Sequence, residues 1–308
     1  MIGRVKTACW LGGVLVLAGC SAGRAAPGPS PQPVHQAPKG PYVALGDSYT
    51  AGIKVLPAGG GPRGCGRSAA NYPSLVAQEL GLAAQFTDVS CSSATTADLT
   101  AAQSVDGGAN PAQLDALNDA TRLVTLGIGG NDAGFMQVVT RCAELGLLDA
   151  IVPKKGQDAP CRAAYQGADG TDQLTAKLGT VGDRLAAVLG DVRKRAPKAR
   201  VYVVGYPALL PADPAACGPV LGRTLPPGDL AFLAEQEQRL NTVLRKQAQD
   251  GGAVFVDTYT PSAGHDMCAG EAARWIEPPF PAAGRAPLHP NAAGQQAMAR
   301  VVATAIKG

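Results

Sequence analysis

Histidine is scarce in this chain: among 308 residues only His35, His265 and His289 occur. None of the cysteines has C-x-x-C or zinc-ribbon spacing either, so the sequence argues against a structural metal, and no cofactor is expected. Charge is sparse as well. Asp, Glu, Lys and Arg make up 17% of the chain, and two charges of the formal net +3 are Arg4 and Lys6, at the extreme N-terminus. This balance excludes a disordered acidic or basic protein and gives no footprint for nucleic acid. The one basic cluster, Arg193, Lys194, Arg195, Lys198 and Arg200, fits a solvated helix C-terminus, where cations are favoured. The apolar run at residues 10–18 is too short to span a bilayer comfortably, and no internal repeat is visible. What the chain does have is 46% hydrophobic residues with Gly 39 and Pro 25, enough for a large core and for much loop.

The N-terminus carries an address. Arg4 and Lys6 precede the apolar run, and Leu17-Ala18-Gly19-Cys20 follows it. This pattern resembles a bacterial lipoprotein signal, which implies removal of 1–19, acylation of Cys20 and anchorage to the cell membrane from outside. Plain secretion after cleavage in the later alanines is the alternative. Residues 20–41, rich in Pro, Ala and Gly, cannot build a core and read as a tether. One domain, 42–308, remains.

With Cys9 in the signal and Cys20 assigned to lipid, Cys65, Cys91, Cys142, Cys161, Cys217 and Cys268 are left. An even number in an exported chain suggests three disulfides; of fifteen pairings, sequence order suggests the simplest, Cys65–Cys91, Cys142–Cys161 and Cys217–Cys268.

Short apolar runs at 42–45, 84–89, 123–126, 200–205 and 253–257 read as strands. Between them, 71–80, 111–119, 174–192, 230–249 and 291–306 read as helices, the third and fourth long and strongly periodic. Residues 56–67, 207–227 and 265–284 read as loop, and 135–170 as short helices and loop without a strong period. Strands alternating with helices predict an α/β fold, a three-layer α/β/α sandwich around a mostly five-stranded parallel sheet. A monomer is expected.

The C-terminal ends of parallel strands lie on one rim, where open α/β sheets carry their chemistry. The first strand ends at Ser48, the second at Ser93, the third at Asn131, and His289 immediately precedes the last helix. A hydroxyl, an imidazole, an amide and free backbone N–H groups are the parts needed for acyl transfer. A nucleotide-binding glycine loop at 127–132 is excluded, because G-x-G-x-x-G and the acidic residue about twenty positions on are both missing.

The blocks GDSY at 46–49, GGND at 129–132 and HPN at 289–291, in this order, resemble the SGNH, or GDSL-like, hydrolases. With the cysteine pairs, CSSATT at 91–96 and the His265-Asp266-Met267-Cys268 element, the chain is similar to actinobacterial secreted esterases and lipases of that family. The resemblance covers 42–306. It implies a flavodoxin-like SGNH hydrolase fold and a carboxylic-ester hydrolase with Ser48 as nucleophile, His289 as base, and Ser48 N–H, Ser93 N–H and the Asn131 amide as oxyanion hole. A lipid-like or short-to-medium acyl ester is the expected substrate. A carbohydrate O-acetylesterase, or a non-catalytic envelope-binding protein on a degenerate scaffold, is the alternative.

The chain departs from the family twice. Ser93 stands where Gly is usual, so any need for positive φ would be resisted there. Ala286 stands three residues before His289, where an Asp is usual. The Ala286 carbonyl is therefore the candidate to orient the imidazole, with Asp266 as the rival carboxylate. Trp275, Ile276 and Phe280 are candidates for an acyl pocket. Asp47 is expected to support the Ser48 turn, and His265 to have a structural role.

Overall fold

The computed structural model describes residues 37–152, 158–167, 170–221 and 224–308. The expected signal, Cys20 and the tether up to residue 36 lie outside them.

In chain order the strands are β1 Tyr42–Gly46, β2 Phe86–Asp88, β3 Gln103–Val105, β4 Gly108–Asn110, β5 Leu123–Gly127, β6 Arg200–Val204 and β7 Val254–Val256. The α-helices are α1 Ser48–Ala51, α2 Tyr72–Glu79, α3 Gly130–Ala133, α4 Phe135–Ile151, α5 Pro160–Tyr165, α6 Gln173–Arg195, α7 Gly218–Leu221, α8 Pro227–Asp250 and α9 Ala292–Lys307. Five strands form one sheet in the order β2-β1-β5-β6-β7, all parallel, and β3 with β4 makes a small separate hairpin.

Side chains alternate across a strand, so each strand feeds two cores. Val43, Leu45, Val124, Leu126 and Val203 pack with Leu185, Leu189 and Val192 of α6 and Leu240 and Leu244 of α8. Tyr42, Ala44, Leu123, Tyr202 and Val204 face the other way, onto Val76 of α2 and Met298, Val302 and Ile306 of α9. This is the three-layer sandwich. Each valine, leucine, isoleucine or methionine among them, fully buried, contributes about 1.5–3 kcal/mol relative to exposure. A third apolar cluster lies under the long connections, where Leu209, Leu221, Leu233, Met267, Ile276 and Leu288 pack around Cys142, Cys161 and Cys217. The disulfides are Cys65–Cys91, Cys142–Cys161 and Cys217–Cys268, the pairs that sequence order suggests.

The caps explain the helix starts. Asn71 accepts from Ser74 N–H at 3.1 Å with Pro73 in the first turn, Asp172 accepts from Leu174 N–H at 2.9 Å, and Asn291 accepts from Gly294 N–H at 3.0 Å. The basic cluster does sit at the end of α6, where Arg195 pairs with Asp115 at 2.9 Å. Among the described residues no helix is long and apolar enough to cross a membrane.

Four readings of the sequence need correction. Residues 135–151 form one helix of 17 residues rather than short pieces. The expected helix at 111–119 is only a 3₁₀ turn, Gln113–Ala116, although Leu114 and Leu117 are buried as expected. The second strand is shorter than 84–89: Ala83–Gln85 is a 3₁₀ turn, and Asp88 ends the strand by accepting from Ser90 N–H at 2.9 Å and Ser90 Oγ at 2.6 Å. The hairpin β3–β4 was not foreseen.

Candidate active site

Strand β1 runs straight into the Ser48 turn, and Gly46 is what lets it do so. At φ +153° its backbone passes so close to α1 and β5 that a Cβ would lie 2.3 Å from Thr50 Oγ1 and 2.5 Å from the Gly127 carbonyl. The Gln113 amide clamps this point, accepting from Gly46 N–H at 2.7 Å and donating to its carbonyl at 2.9 Å. Asp47 then caps α1, accepting from Tyr49 N–H at 3.0 Å, which is the supporting role expected of it. The result is one buried hydroxyl at the head of a helix.

From the far end of the chain His289 meets it: Ser48 Oγ lies 2.8 Å from His289 Nε2. The other ring nitrogen, Nδ1, lies 2.6 Å from the Pro287 carbonyl. Donation to that carbonyl puts the proton on Nδ1 and leaves Nε2 as an acceptor for the serine hydroxyl. Burial pulls the His289 pKa below the ordinary value, and the Pro287 hydrogen bond works against this.

Neither expected partner of the imidazole holds that position. The Ala286 carbonyl closes a turn on His289 N–H at 3.4 Å, so the next carbonyl along, that of Pro287, is the one left to reach the ring. Proline second and a left-handed residue third, Leu288 at φ +59°, is the pattern of a type II turn. Asp266 is buried elsewhere and caps its own loop, accepting from Cys268 N–H at 2.9 Å beside the Cys217–Cys268 disulfide.

The third and fourth parts are Ser93 and Asn131, which line the same pocket of about 320 Å³ as Ser48 and His289. Ser93 adopts φ +64°, so the site does require the left-handed backbone that glycine takes freely, and a serine supplies it. Its loop is fastened from both sides: Cys91 N–H donates to the Gly46 carbonyl at 2.9 Å, Ser92 N–H to the Cys65 carbonyl at 3.0 Å, and the Cys65–Cys91 bridge lies beneath. Asn131 Nδ2 donates to the Ala94 carbonyl at 2.9 Å, which spends one of its two hydrogens on holding the same loop. Among the described residues neither Ser48 N–H nor Ser93 N–H has an acceptor. Ser48, Ser93 and Asn131 all line that pocket.

Besides the Pro287 carbonyl, two side chains at the pocket, Tyr206 and Glu237, escaped the sequence reading. Tyr206, two residues past the end of β6, donates from its hydroxyl to Asp47 Oδ2 at 2.5 Å and accepts from Gly130 N–H at 2.8 Å, tying the Ser48 turn to the Asn131 loop. Its place at a strand end on the active rim was the available signal. Burial, only partly offset by the Tyr206 bond, pushes Asp47 up to about 6. Glu237 of α8 lines the pocket with its carboxyl buried, accepting from Leu209 N–H at 2.9 and 3.1 Å, and burial pushes it up to about 8.

The apolar lining is not the one expected. Trp275 stacks on His265 with ring centroids 3.9 Å apart, Ile276 is buried in the third cluster, and Phe280 is 92% exposed, so none of the three faces the pocket. Ile53, Phe135, Met136 and Leu240 line it instead. His265 Nδ1 is bound to the Ala273 carbonyl at 2.5 Å, a structural role.

Comparison with known proteins agrees with this architecture. Residues 44–297 match the GDSL-like Lipase/Acylhydrolase family. Lipase 2 of Streptomyces coelicolor is 42% identical over 270 residues, 87% of this chain and 86% of that one. The crystal structure of phospholipase A1 from Streptomyces albidoflavus NA297 superposes with a TM-score of 0.67 at 31% identity, covering 87% of this chain and 99% of the other. The extracellular lipase from Streptomyces rimosus gives 0.68 at 31% identity, covering 87% and 100%.

Proposed function

This chain belongs to the GDSL-like lipase/acylhydrolase family and is a secreted carboxylic-ester hydrolase, and we propose that it works through an acyl-enzyme on Ser48 with His289 as the base. The observation that carries this is the 2.8 Å contact of Ser48 Oγ with His289 Nε2 in a pocket shared with Asn131. Ser48 Oγ attacks the ester carbonyl as Nε2 takes its proton. The carbonyl oxygen becomes an anion held by Ser48 N–H, Ser93 N–H and Asn131 Nδ2. Collapse breaks the C–O bond and His289 returns the proton to the departing alcohol; water, deprotonated by the same nitrogen, then releases the acid. The Pro287 carbonyl fixes the tautomer throughout, although it stabilises the imidazolium less than a carboxylate does.

The substrate in this reading is a lipid-like ester with a short-to-medium acyl chain, and Ile53, Phe135, Met136 and Leu240 support it. An acetyl group needs no such lining. On p-nitrophenyl esters set beside acetylated sugars, kcat/KM is expected to rise from acetate to butyrate and octanoate. Turnover confined to acetylated sugars would sink the lipid-like reading in favour of a deacetylase. Anchoring rests on Cys20 in its lipoprotein-like context: the mature N-terminal peptide is expected to begin at an acylated Cys20, and an unmodified N-terminus among the later alanines would exclude it.

A further inference from the structure

We infer that Tyr49 is a positioning residue for the base: its hydroxyl holds the backbone turn through which the Pro287 carbonyl reaches His289. The inference rests on Ser48 and His289 acting as nucleophile and base.

A carbonyl two residues before a histidine reaches that ring only if the residue between them folds the chain back. Leu288 does so, at φ +59°, in a conformation that an L side chain without a local polar group rarely adopts. Such a conformation persists only where its surroundings over-determine it. Here three contacts do. The Leu288 side chain is buried in the third apolar cluster, its N–H donates to the Glu277 carbonyl at 3.1 Å, and its carbonyl accepts from Tyr49 Oη at 2.6 Å. The last bond is the only one of the three that comes from the nucleophile's own turn.

Tyr49 is itself held rigidly. Its N–H donates to Asp47, its carbonyl accepts from Gln295 Nε2 at 2.9 Å, and its ring stands edge-on to Tyr206 with centroids 5.1 Å apart. The ring also lies 4.9 Å from the His289 ring, so one side chain touches the base and ties down the residue before it. Burial raises the pKa of the hydroxyl, which keeps it a donor at every working pH. The distance between Ser48 and His289 is thus set by a strut from the residue next to one to the residue next to the other.

The test is Tyr49→Phe, which keeps the ring and removes the strut, with its rates and those of the wild type expressed per site labelled by a fluorophosphonate, and Ser48→Ala alongside with rates per mole of folded protein. Expected are a fall in kcat of about tenfold or more with KM within about twofold, since the base is misplaced and the pocket is not. The acid limb of the kcat/KM profile also moves to lower pH. The Pro287 bond favours the charged imidazole, so loosening it lowers the His289 pKa, while Asp47, Glu237 and Tyr206, which face the same pocket, are unaltered. An unmoved acid limb, with or without a lower rate, marks a packing role and overturns the inference. A failure of Tyr49→Phe to fold does the same, because the hydroxyl is then a requirement of the fold. Retained turnover in Ser48→Ala would instead strike the acyl-enzyme reading beneath it.

Discussion

Replacing Ser48 by alanine is expected to lower kcat on p-nitrophenyl butyrate by about 10⁵-fold or more, with any residue of turnover coming from the oxyanion donors and substrate binding alone. His289→Ala should cost about as much, and the double variant no more than either. The two groups form one device: without Nε2 at 2.8 Å the hydroxyl keeps its proton, and without the hydroxyl the imidazole has nothing to activate. The measurement also separates Ser48 from its neighbours, since Ser92 and Ser93 line the same pocket. If Ser48→Ala kept a hundredth of the wild-type kcat, another nucleophile would have to be found, and those two serines would be examined first. If neither single substitution altered the rate of ester loss, the acyl-enzyme reading at this pocket would fail.

The second large effect is expected at Asn131. Asn131→Ala should lower kcat by about 10²–10³, roughly 2.7–4 kcal/mol of transition-state stabilisation, and leave KM within a few-fold. Part of the loss comes from the freed Ala94 carbonyl, because the amide holds the Ser93 loop with one hydrogen; the rest is the share of the proposed oxyanion donor. Asn131→Asp tells the parts apart. It matches the amide in size but sets a carboxylate against the developing anion, so it should be slower than Asn131→Ala. A drop of less than about fivefold in the alanine variant would leave Asn131 as a loop fastener with no share in the chemistry.

Part of the rim was readable from sequence because Ser48 and Asn131 stand just beyond the points where apolar runs stop. Tyr42 to Leu45, Leu123 to Leu126 and Arg200 to Val204 are buried strands by composition, and glycines or polar residues end them abruptly. Helix α6 was readable for the same reason: Leu178, Leu185, Leu189 and Val192 leave one stripe and its other faces are charged. Helix α4 defeats that rule. Val138, Val139 and Cys142 are buried while Leu147, Leu148 and Ile151 are more than half exposed, so apolar residues on both faces erase the period. The hairpin β3–β4 had a signal, Asp106-Gly107 between short runs, which its weak strand composition hid. The acyl pocket could not be placed from sequence, because an apolar residue such as Phe135 or Leu240 has the same pattern whether it meets a neighbour or a cavity. Nor could Pro287: every residue has a carbonyl, and only the path of the chain decides which one meets an imidazole.

That last feature changes how the site stands up to genetic change. Where an acid orients the histidine, one codon can delete it. Here the orienting oxygen belongs to the main chain, and no substitution removes it; only a change in the shape of the turn can move it. The vulnerable positions for this part of the site are therefore those that dictate the turn, Pro287, Leu288 and Tyr49, and a random mutagenesis screen for lost activity should find no acidic residue whose loss frees the imidazole from its orienting contact.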